Sequence, residues 1–387
     1  MTKPTTNEEL VAIRRHLHAH PELSLKEEQT AAFIEEKLAA FGIEDVHRVA
    51  HTGVVALIEG AHPGPCRAYR ADIDALPIAE ANEVDYKSQS PGVMHACGHD
   101  VHTTVGLGVA QELHRRRQDL KGSVKMIFQP AEEASPDDEP IGAARMVEEG
   151  VLNDPEVEAI YAMHCMPALE VGKVGFTGGP VWAGSELMEI TIDGQKAHGA
   201  YPHEGIDAVA VAAQVVVALQ QVVSRTVDAR EACVVTVGHL QAGNSYNIIA
   251  ERAELTGILR GLSPGAMEVA REAIERIVDH LPKSFGARGA VRFTAGARPV
   301  INDVALESQA VARIAAALGD HVVTPHPPQL GAEDFSAFSR EISGCYLFLG
   351  IRNEERGITS ALHTPTFDVD EACLDVGVAA MTAVLMG

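Results

Sequence analysis

The sequence predicts an α/β protein in which a domain with a mixed sheet flanked by helices is interrupted by a smaller, ferredoxin-like α+β domain. Three observations support this. The chain has 387 residues, which is more than one hydrophobic core usually spans. Apolar, β-branched segments alternate with helical ones, as in an α/β sheet. Within residues 181–297 the order changes to β-α-β-β-α-β, which is the ferredoxin-like arrangement.

The first domain begins with two predicted helices. Thr6 and Glu9 form a capping-box pattern for the first helix, which must end before Pro21, and a second helix at 26–41 ends at Gly42. Strands and helices then alternate. The expected elements are strands at 54–58 and 66–73, a helix after Asp100, a strand at 124–128, a helix from Ile141 and a strand at 158–164.

The second domain starts after Gly178, Gly179 and Pro180, which interrupt the pattern. Its expected elements are strand 187–192, helix 205–225, strands 234–240 and 254–260, helix 264–280 and strand 290–294. After Pro299 the first pattern resumes with helix 306–318, strand 345–349 and a helix from Glu371. We therefore expect a discontinuous domain of residues 1–180 and 298–387, with residues 181–297 inserted into it.

The charge of the chain excludes some classes of partner. With 54 acidic and 31 basic residues the formal net charge is −23, so nucleic acids and anionic membrane surfaces should be repelled. The uncharged apolar stretch at 208–224 contains three glutamines and is shorter than a membrane span, so we expect it to be a buried helix.

The cysteines indicate a cytoplasmic protein with reduced thiols. The six cysteines are scattered along a long chain, whereas disulfide frameworks belong to short secreted domains. The polar segment 1–9 has no apolar core of a signal peptide.

The strongest local signal for chemistry is a thiol and an imidazole separated by one glycine, Cys97-Gly98-His99. In extended backbone these two side chains project to the same side, and both bind metals when deprotonated. Two other interpretations remain open from this segment alone. Cys97 could be a nucleophile activated by His99, or a buried cysteine beside surface histidines.

A second signal is the pair Glu132 and Glu133, which follows the strand at 124–128 and Pro130. Because Pro130 ends the strand ladder, the loop can direct both carboxylates toward one cavity. One could bind metal while the other moves protons, although such a pair can also be a solvated turn. Ligands of open α/β sheets gather at the carboxyl ends of strands, where these glutamates and His164 all fall.

Taken together, the motifs resemble those of the M20 metallopeptidase family, and within it the amidohydrolase branch that includes hippurate hydrolases and auxin-conjugate hydrolases. The resemblance covers nearly the whole chain. It rests on segments 15–22, 70–77, 95–100, 129–133, 197–199, 247–249, 331–335 and 363–365.

The resemblance implies a dinuclear centre. Its two divalent ions per subunit would be zinc, manganese, cobalt or nickel, since ligand type does not settle the metal. Glu132 would be the general base that takes a proton from a metal-activated water. The implied ligands are Cys97, His99, Glu133, His164 and His363. Most M20 members have a histidine where this chain has Asp72; Asp72 and Asp74 could orient ligands or form a structural salt bridge.

In the inserted domain the resemblance implies a lid and a dimerisation surface. His198 would hydrogen-bond the carbonyl oxygen as it becomes an oxyanion, acting on a neighbouring subunit of a homodimer or higher homo-oligomer. Asn247 and Arg260, expected on two neighbouring strands, would bind the substrate carboxylate, because a guanidinium can meet a carboxylate with two hydrogen bonds.

The expected function is hydrolysis of the amide bond of a small N-acyl amino acid, with an acetyl, benzoyl or aryl-acyl group. An M20-type dipeptidase, aminopeptidase or carboxypeptidase would keep the same metal ligands. A cysteine hydrolase built on Cys97 and a non-catalytic binding protein are further alternatives, and the presence of Glu132 argues against the last.

Overall fold

The computed structural model describes residues 7–134 and 140–387, so the Thr6 cap of the first helix lies outside the described residues. The chain forms two compact units. The first comprises Met1–Gly179, Ile301–Pro327 and Asp334–Gly387, and the second comprises Pro180–Val300 and Pro328–Glu333.

The described helices and strands alternate along much of the chain. The helices are α1 (Asn7–Ala19), α2 (Glu28–Ala40), α3 (His99–Arg115), α4 (Gly142–Glu148), α5 (Ala208–Gln221), α6 (Pro264–His280), α7 (Val304–Leu318), α8 (Ser336–Ser339) and α9 (Cys373–Leu385). The strands are β1 (Val46–Val49), β2 (Gly53–Glu59), β3 (His62–Asp72), β4 (Lys121–Gln129), β5 (Val157–Glu170), β6 (Val174–Phe176), β7 (Pro180–Trp182), β8 (Gly184–Asp193), β9 (Ala197–His198), β10 (Cys233–Ala242), β11 (Ile248–Ile249), β12 (Arg252–Gly261), β13 (Arg288–Ala295), β14 (Val300–Ile301), β15 (Val323–Pro325) and β16 (Ser343–Arg352).

The first unit is built on an eight-stranded mixed sheet with the order β1-β2-β4-β3-β5-β16-β6-β15. The four central strands, β4, β3, β5 and β16, are mutually parallel, whereas β2 and β6 run antiparallel to their central neighbours. Parallel strands are covered on both faces and therefore read as continuous apolar runs. The carboxyl ends of the central strands consequently meet at one edge, which is where this type of sheet places its ligands.

The second unit has the ferredoxin-like topology. Its four-stranded antiparallel sheet has the order β10-β12-β8-β13, and α5 and α6 connect the strands as in the β-α-β-β-α-β pattern. Burial alternates along β12, as expected when only one face of the sheet carries helices. The predicted fold class, a mixed α/β sheet with an inserted ferredoxin-like domain, is confirmed.

Helix α5 differs from the prediction because it is not fully buried. Among the described residues, Ala208–Thr226 is the one helical segment long and apolar enough to cross a membrane by length and composition. Of its most apolar 18-residue stretch, 33% is buried inside the protein. Positions such as Ala212 and Val215 pack into the core of the second unit, whereas Val217 on the opposite face is 62% exposed. The segment is a surface helix with one buried face and one exposed face, on which valines and alanines alternate with glutamines.

The six cysteines all lie among the described residues. All six are buried and none forms a disulfide.

A buried charge network joins α1 to the start of α3. Asp100 is fully buried and accepts hydrogen bonds from Arg14 Nε at 2.9 Å and from His18 Nδ1 at 2.7 Å. Burial alone would raise the pKa of Asp100, but Arg14 and His18 outweigh it and hold that pKa well below its ordinary value. The carboxylate therefore stays charged in the folded protein.

This network predicts a specific acid dependence of stability. Because the pKa of Asp100 is depressed in the folded state, its contribution is fully present above the unfolded pKa of about 4 and is lost progressively as the pH falls below that value toward the depressed folded pKa. Asp100→Asn should lower the free energy of unfolding by about 3–5 kcal/mol at neutral pH and flatten its decline below about pH 5. Thermal unfolding midpoints of both proteins between pH 3 and 8 provide the measurement; parallel pH profiles would contradict the account.

Candidate metal centre

Two functional side chains are placed by the start of helix α3. Cys97 lies two residues before the first residue of the helix, which is His99. Between them Gly98 has a φ of +85°, and a Cβ atom there would lie 3.0 Å from both Cβ and Sγ of Cys165. Only glycine fits this conformation and this spacing without strain, so Gly98 allows the chain to turn into the helix between the two side chains.

The side chain of Cys97 is buried between two imidazoles. Its Sγ atom lies 3.5 Å from His164 Nε2 and 3.2 Å from His363 Nε2. His164 lies on β5, while His363 lies on a loop, has a φ of +59° and donates its backbone N–H to Ala96 O at 2.8 Å. That last bond ties the histidine's loop to the segment that carries Cys97.

Glu133 completes the group that the motifs predict. Its Oε1 atom lies 3.3 Å from His363 Nε2 and 4.0 Å from His99 Nε2. Cys97 belongs to two three-residue groups whose ligand atoms all lie within 4.8 Å of one another, one with His99 and His164 and one with Glu133 and His363. Glu132 forms a further such group with His99 and Glu133.

These residues fit a pair of divalent ions. His99 Nε2 and Glu133 Oε1 are buried, and within 7–134 and 140–387 neither has a hydrogen-bond partner. Buried polar atoms without partners are costly, so an ion that both could bind accounts for them. Thiolate, imidazole and carboxylate are together the donors of first-row transition metals.

The ligands are oriented by further buried groups. His99 Nδ1 lies 3.2 Å from Asp74 Oδ1, and His164 Nδ1 lies 2.7 Å from Cys165 O, so each ring directs its Nε2 atom toward the cluster. Histidines that bind metals are commonly held in this way by a carboxylate or a backbone carbonyl. Asp74 therefore lies where a ligand-orienting carboxylate is needed.

Asp72 has a different environment. It is paired with the buried Arg70 and hydrogen-bonds His102 Nδ1. The other ring nitrogen of His102 accepts the backbone N–H of Cys165 at 2.8 Å, so both nitrogens of His102 are already engaged. The nearby group of Asp72, His99 and His102 is thus a structural network that supports β3 and β5 rather than another ion site.

The electrostatics of the cluster favour a bound cation. Burial lowers the pKa of His99, but the carboxylates of Asp72, Asp74 and Glu133 outweigh it and raise that pKa to about 10. Burial, followed by Glu133 and Glu132, raises the pKa of the Cys97 thiol well above its ordinary value. Both groups must lose a proton to act as ligands, so metal binding here should release protons.

In the second unit, His198 and Asn247 lie side by side. His198 on β9 pairs with Ile248 on β11, and Gly199 donates its N–H to Asn247 O at 2.7 Å. Both side chains are exposed. The structure therefore brings together two residues that sequence analysis assigned to the lid.

Arg260 is remote from them, and the expectation that Asn247 and Arg260 occupy neighbouring strands is wrong. Asn247 lies in a turn before β11, which pairs with β9 and not with β12. Arg260 lies at the far end of β12, opposite Ser185, whereas Arg252 begins that strand at the end nearer to Asn247. At ~3.3 Å per residue, Arg252 and Arg260 are ~26 Å apart, so one chain cannot apply Asn247 and Arg260 to the same carboxylate.

Arg260 is a partly buried guanidinium. Its side chain is half-buried, and its Nη1 atom has no hydrogen-bond partner among the residues that the structure describes. Burial lowers the pKa of this guanidinium, and no carboxylate contributes to the shift.

Sequence analysis missed the buried carboxylate of Glu27. It accepts the N–H of Ala131 at 2.9 Å and the hydroxyl of Thr52 at 2.7 Å. No local pattern distinguishes it, since acidic residues at the start of a helix are commonly exposed and interact with the helix dipole. Glu27 and Ala131 are far apart in the sequence, so no local pattern could indicate that they form a hydrogen bond.

The fold and this cluster define a metal-dependent hydrolase, and comparison with known proteins agrees. The profile of peptidase family M20/M25/M40 matches residues 68–387. An N-acyl-L-amino acid amidohydrolase from Geobacillus stearothermophilus is 43% identical over 294 residues, covering 76% of this chain and 78% of the relative. Thermostable carboxypeptidase 2 from Saccharolobus solfataricus is 36% identical over 370 residues, covering 95% and 92%.

A solved structure is also similar over the full length. A dinuclear metal-binding peptidase of the M20 family from Bacillus subtilis superposes with a TM-score of 0.86 and 35% identity, covering 98% of this chain and 97% of that one. The chain belongs to peptidase family M20/M25/M40, in its amidohydrolase branch.

The position of Gly98 predicts how the centre can be damaged selectively. Gly98→Ala places a methyl group against Cys165 and should weaken metal binding by about ten-fold or more. Gly92→Ala is the matched control, because Gly92 has a similar φ of +77° but no atom within 4 Å of the added Cβ. Titration with Co²⁺, followed through the thiolate-to-metal absorption band, measures both. Equal affinities would show that Gly98 does not position the ligands.

Proposed function

We propose that the protein is a dinuclear metal-dependent amidohydrolase that cleaves the amide bond of small N-acyl amino acids. The observation that carries the proposal is the convergence of Cys97, His99, Glu133, His164 and His363 on one cluster, with Glu132 beside it. Such a site needs ligands for two ions and a separate carboxylate for proton transfer, and this cluster supplies both.

The ligand assignment follows from the contacts. Both three-residue groups contain Cys97, so its thiolate would help to hold the metal, together with His99 and His164 and with Glu133 and His363. When bound, zinc, manganese, cobalt or nickel would lower the pKa of a coordinated water and polarise the substrate carbonyl. The mixture of thiolate, imidazole and carboxylate is compatible with each of these metals.

Glu132 is assigned the proton transfer. Its neighbour Glu133 directs Oε1 at His363 and His99, in the position of a ligand. Glu132 lies within the same cluster but is absent from both groups that include Cys97. We therefore propose that Glu132 would take a proton from the attacking water and deliver it to the leaving nitrogen.

Substitution of the two glutamates separates these roles. Glu132→Gln keeps size and polarity but removes the base, so turnover should fall by about 10²–10⁴ while metal content stays unchanged. Glu133→Gln should instead lower metal content. Metal analysis and steady-state kinetics on both variants give the test; loss of metal from Glu132→Gln with retention in Glu133→Gln would mean that the roles are reversed.

Arg260 is proposed as the site for the carboxylate of the substrate. A half-buried guanidinium, one nitrogen of which has no partner among the described residues, would be completed by a planar anion that accepts two hydrogen bonds. The carboxylate of an amino-acid leaving group has this geometry. The C-terminal carboxylate of a peptide has it as well, which keeps a carboxypeptidase or dipeptidase as the second candidate, in line with the similarity to a carboxypeptidase.

A substrate panel tests this assignment. Arg260→Ala should raise KM for N-acetyl and N-benzoyl amino acids while leaving the corresponding amino-acid amides almost unaffected, because only the former lose a charge-assisted pair. Plain dipeptides in the same panel distinguish the second candidate, which predicts that they are the better substrates. An equal loss for acids and amides would remove Arg260 from the carboxylate site.

His198 is proposed to act on a neighbouring subunit of a homodimer or higher oligomer in the cytoplasm. Asn247 and His198 lie together at one end of the second unit and Arg260 lies at the other. If all three serve one substrate, they must come from two chains. The exposed valines of α5, Val209 and Val217, and the edge strand β10 offer surfaces through which a second copy could pair.

Mixed dimers test the exchange of residues. Removal of one oxyanion donor costs about 10²–10³ in turnover, so His198→Ala and Glu132→Gln proteins should each be nearly inactive. After joint unfolding and refolding at equal amounts, each heterodimer has one site with both residues intact, and about a quarter of wild-type activity should return. A mixture that contains heterodimers yet stays inactive would show that His198 serves its own chain or has no catalytic role.

A further inference from the structure

The backbone on either side of Glu132 is held by two buried carboxylates. The N–H of Ala131 donates to Glu27 Oε1 at 2.9 Å, and the N–H of Glu133 donates to Asp74 Oδ2 at 3.0 Å. Glu27 is 0% exposed and Asp74 is 1% exposed. The peptide segment that carries Glu132 is thus fixed at both ends by side chains from distant parts of the chain.

Each carboxylate is itself held by a hydroxyl group. Thr52 Oγ1 donates to Glu27 Oε2, and Ser24 Oγ donates to Asp74 Oδ2, both at 2.7 Å. The two acceptors differ in their other contact. Asp74 also contacts His99 and so belongs to the ligand cluster, whereas the Glu27 carboxylate accepts from Thr52 and from the backbone of Ala131.

The bond from Ala131 to Glu27 replaces one that the sheet cannot supply. Strand β4 ends at Gln129, Pro130 has no N–H, and Ala131 has a φ of +55°, a left-handed conformation that is unfavourable for a residue with a Cβ atom. Ala131 is 1% exposed, so its N–H has no access to solvent. A buried side-chain acceptor is the partner that satisfies this donor and stabilises the strained residue.

Burial makes the ionised form of the Glu27 side chain unfavourable. Burial, with the nearby Asp74 carboxylate adding to it, raises the pKa of Glu27 above its ordinary value. The free-energy cost of burying a carboxyl group has to be offset by the hydrogen bonds that it makes. One of these bonds is to the residue immediately before Glu132.

We propose that Glu27 is a positioning residue for the reaction, one that fixes the loop from which Glu132 transfers its proton. The inference rests on the role of Glu132 in the proposed function. Misplacement of a catalytic group by about 1 Å can cost about 10²-fold in rate, so a loop that lost one of its two anchors would lose turnover before it lost substrate or metal binding.

The experiment compares three variants of the full chain. Glu27→Ala removes the acceptor, Glu27→Gln keeps a carbonyl oxygen that can accept the Ala131 N–H, and Glu22→Ala is the matched control. Glu22 also accepts a backbone N–H and a hydroxyl, both from Thr30, at 2.8 and 2.9 Å, but on helix α2 and not on the catalytic loop. Each variant is characterised by metal content, by kcat and KM for an N-acyl amino acid, and by amide hydrogen exchange of the metal-free protein.

Glu27→Ala should lower kcat by about 10–100-fold with little change in KM or metal content, and should accelerate exchange of the Ala131 amide. Glu27→Gln should recover most of the kcat and most of the protection of the Ala131 amide from exchange. Glu22→Ala should leave kcat and the Ala131 amide as in the wild type. Unchanged exchange at Ala131 in Glu27→Ala, or an equal loss of kcat in Glu22→Ala, would overturn the proposal.

Two features keep the test decisive. If Glu27→Ala does not fold, Thr52→Val removes only the supporting hydroxyl and should produce smaller changes in the same direction; no change in exchange would again overturn the proposal. Hydrogen exchange requires no substrate, so absence of hydrolysis by the metal-loaded wild type would refute the proposed function and leave the role of Glu27 in fixing the loop separately measurable.

Discussion

The contacts of the Cys97 side chain are the constraint on which the candidate site depends. One sulfur atom lies within 3.5 Å of imidazoles from a sheet strand and from a distant loop, and it is common to both ligand groups. Its position is set by Gly98, whose left-handed backbone allows helix α3 to begin with His99 at once. A thiolate is stable in so buried a place only beside cations, since burial and the neighbouring glutamates raise the pKa of the thiol.

The sheet explains why the remaining groups arrive at this point. Four central strands run parallel, so the residues that follow β3 and β4 emerge at one edge, and Asp74, Glu132 and Glu133 lie there. Neighbouring carboxylates would repel one another if each were free. Here Asp72 is neutralised by Arg70, Asp74 faces His99, and the glutamates lie around the cation site, so one edge can hold several acids.

Much of this was predictable from the sequence, and the exceptions have physical reasons. Periodicity predicted the α/β alternation and the ferredoxin-like insertion. The spacing of Cys97 and His99 indicated a metal site because the two residues are close together in the sequence. His363 became visible only through family resemblance, since a histidine in a loop has no periodic signal. Glu27 and the separation of Asn247 from Arg260 were not predictable, because long-range hydrogen bonds and strand register depend on tertiary pairing.

The central claim is that hydrolysis depends on two metal ions that Cys97 helps to hold. Chelation followed by reconstitution tests this claim most directly. Protein stripped of metal should have no activity on N-acyl amino acids, and activity should return with two equivalents of zinc, manganese, cobalt or nickel per chain. Cys97→Ser should bind these ions more weakly and recover little activity. Full hydrolysis by demonstrably metal-free protein would contradict the account.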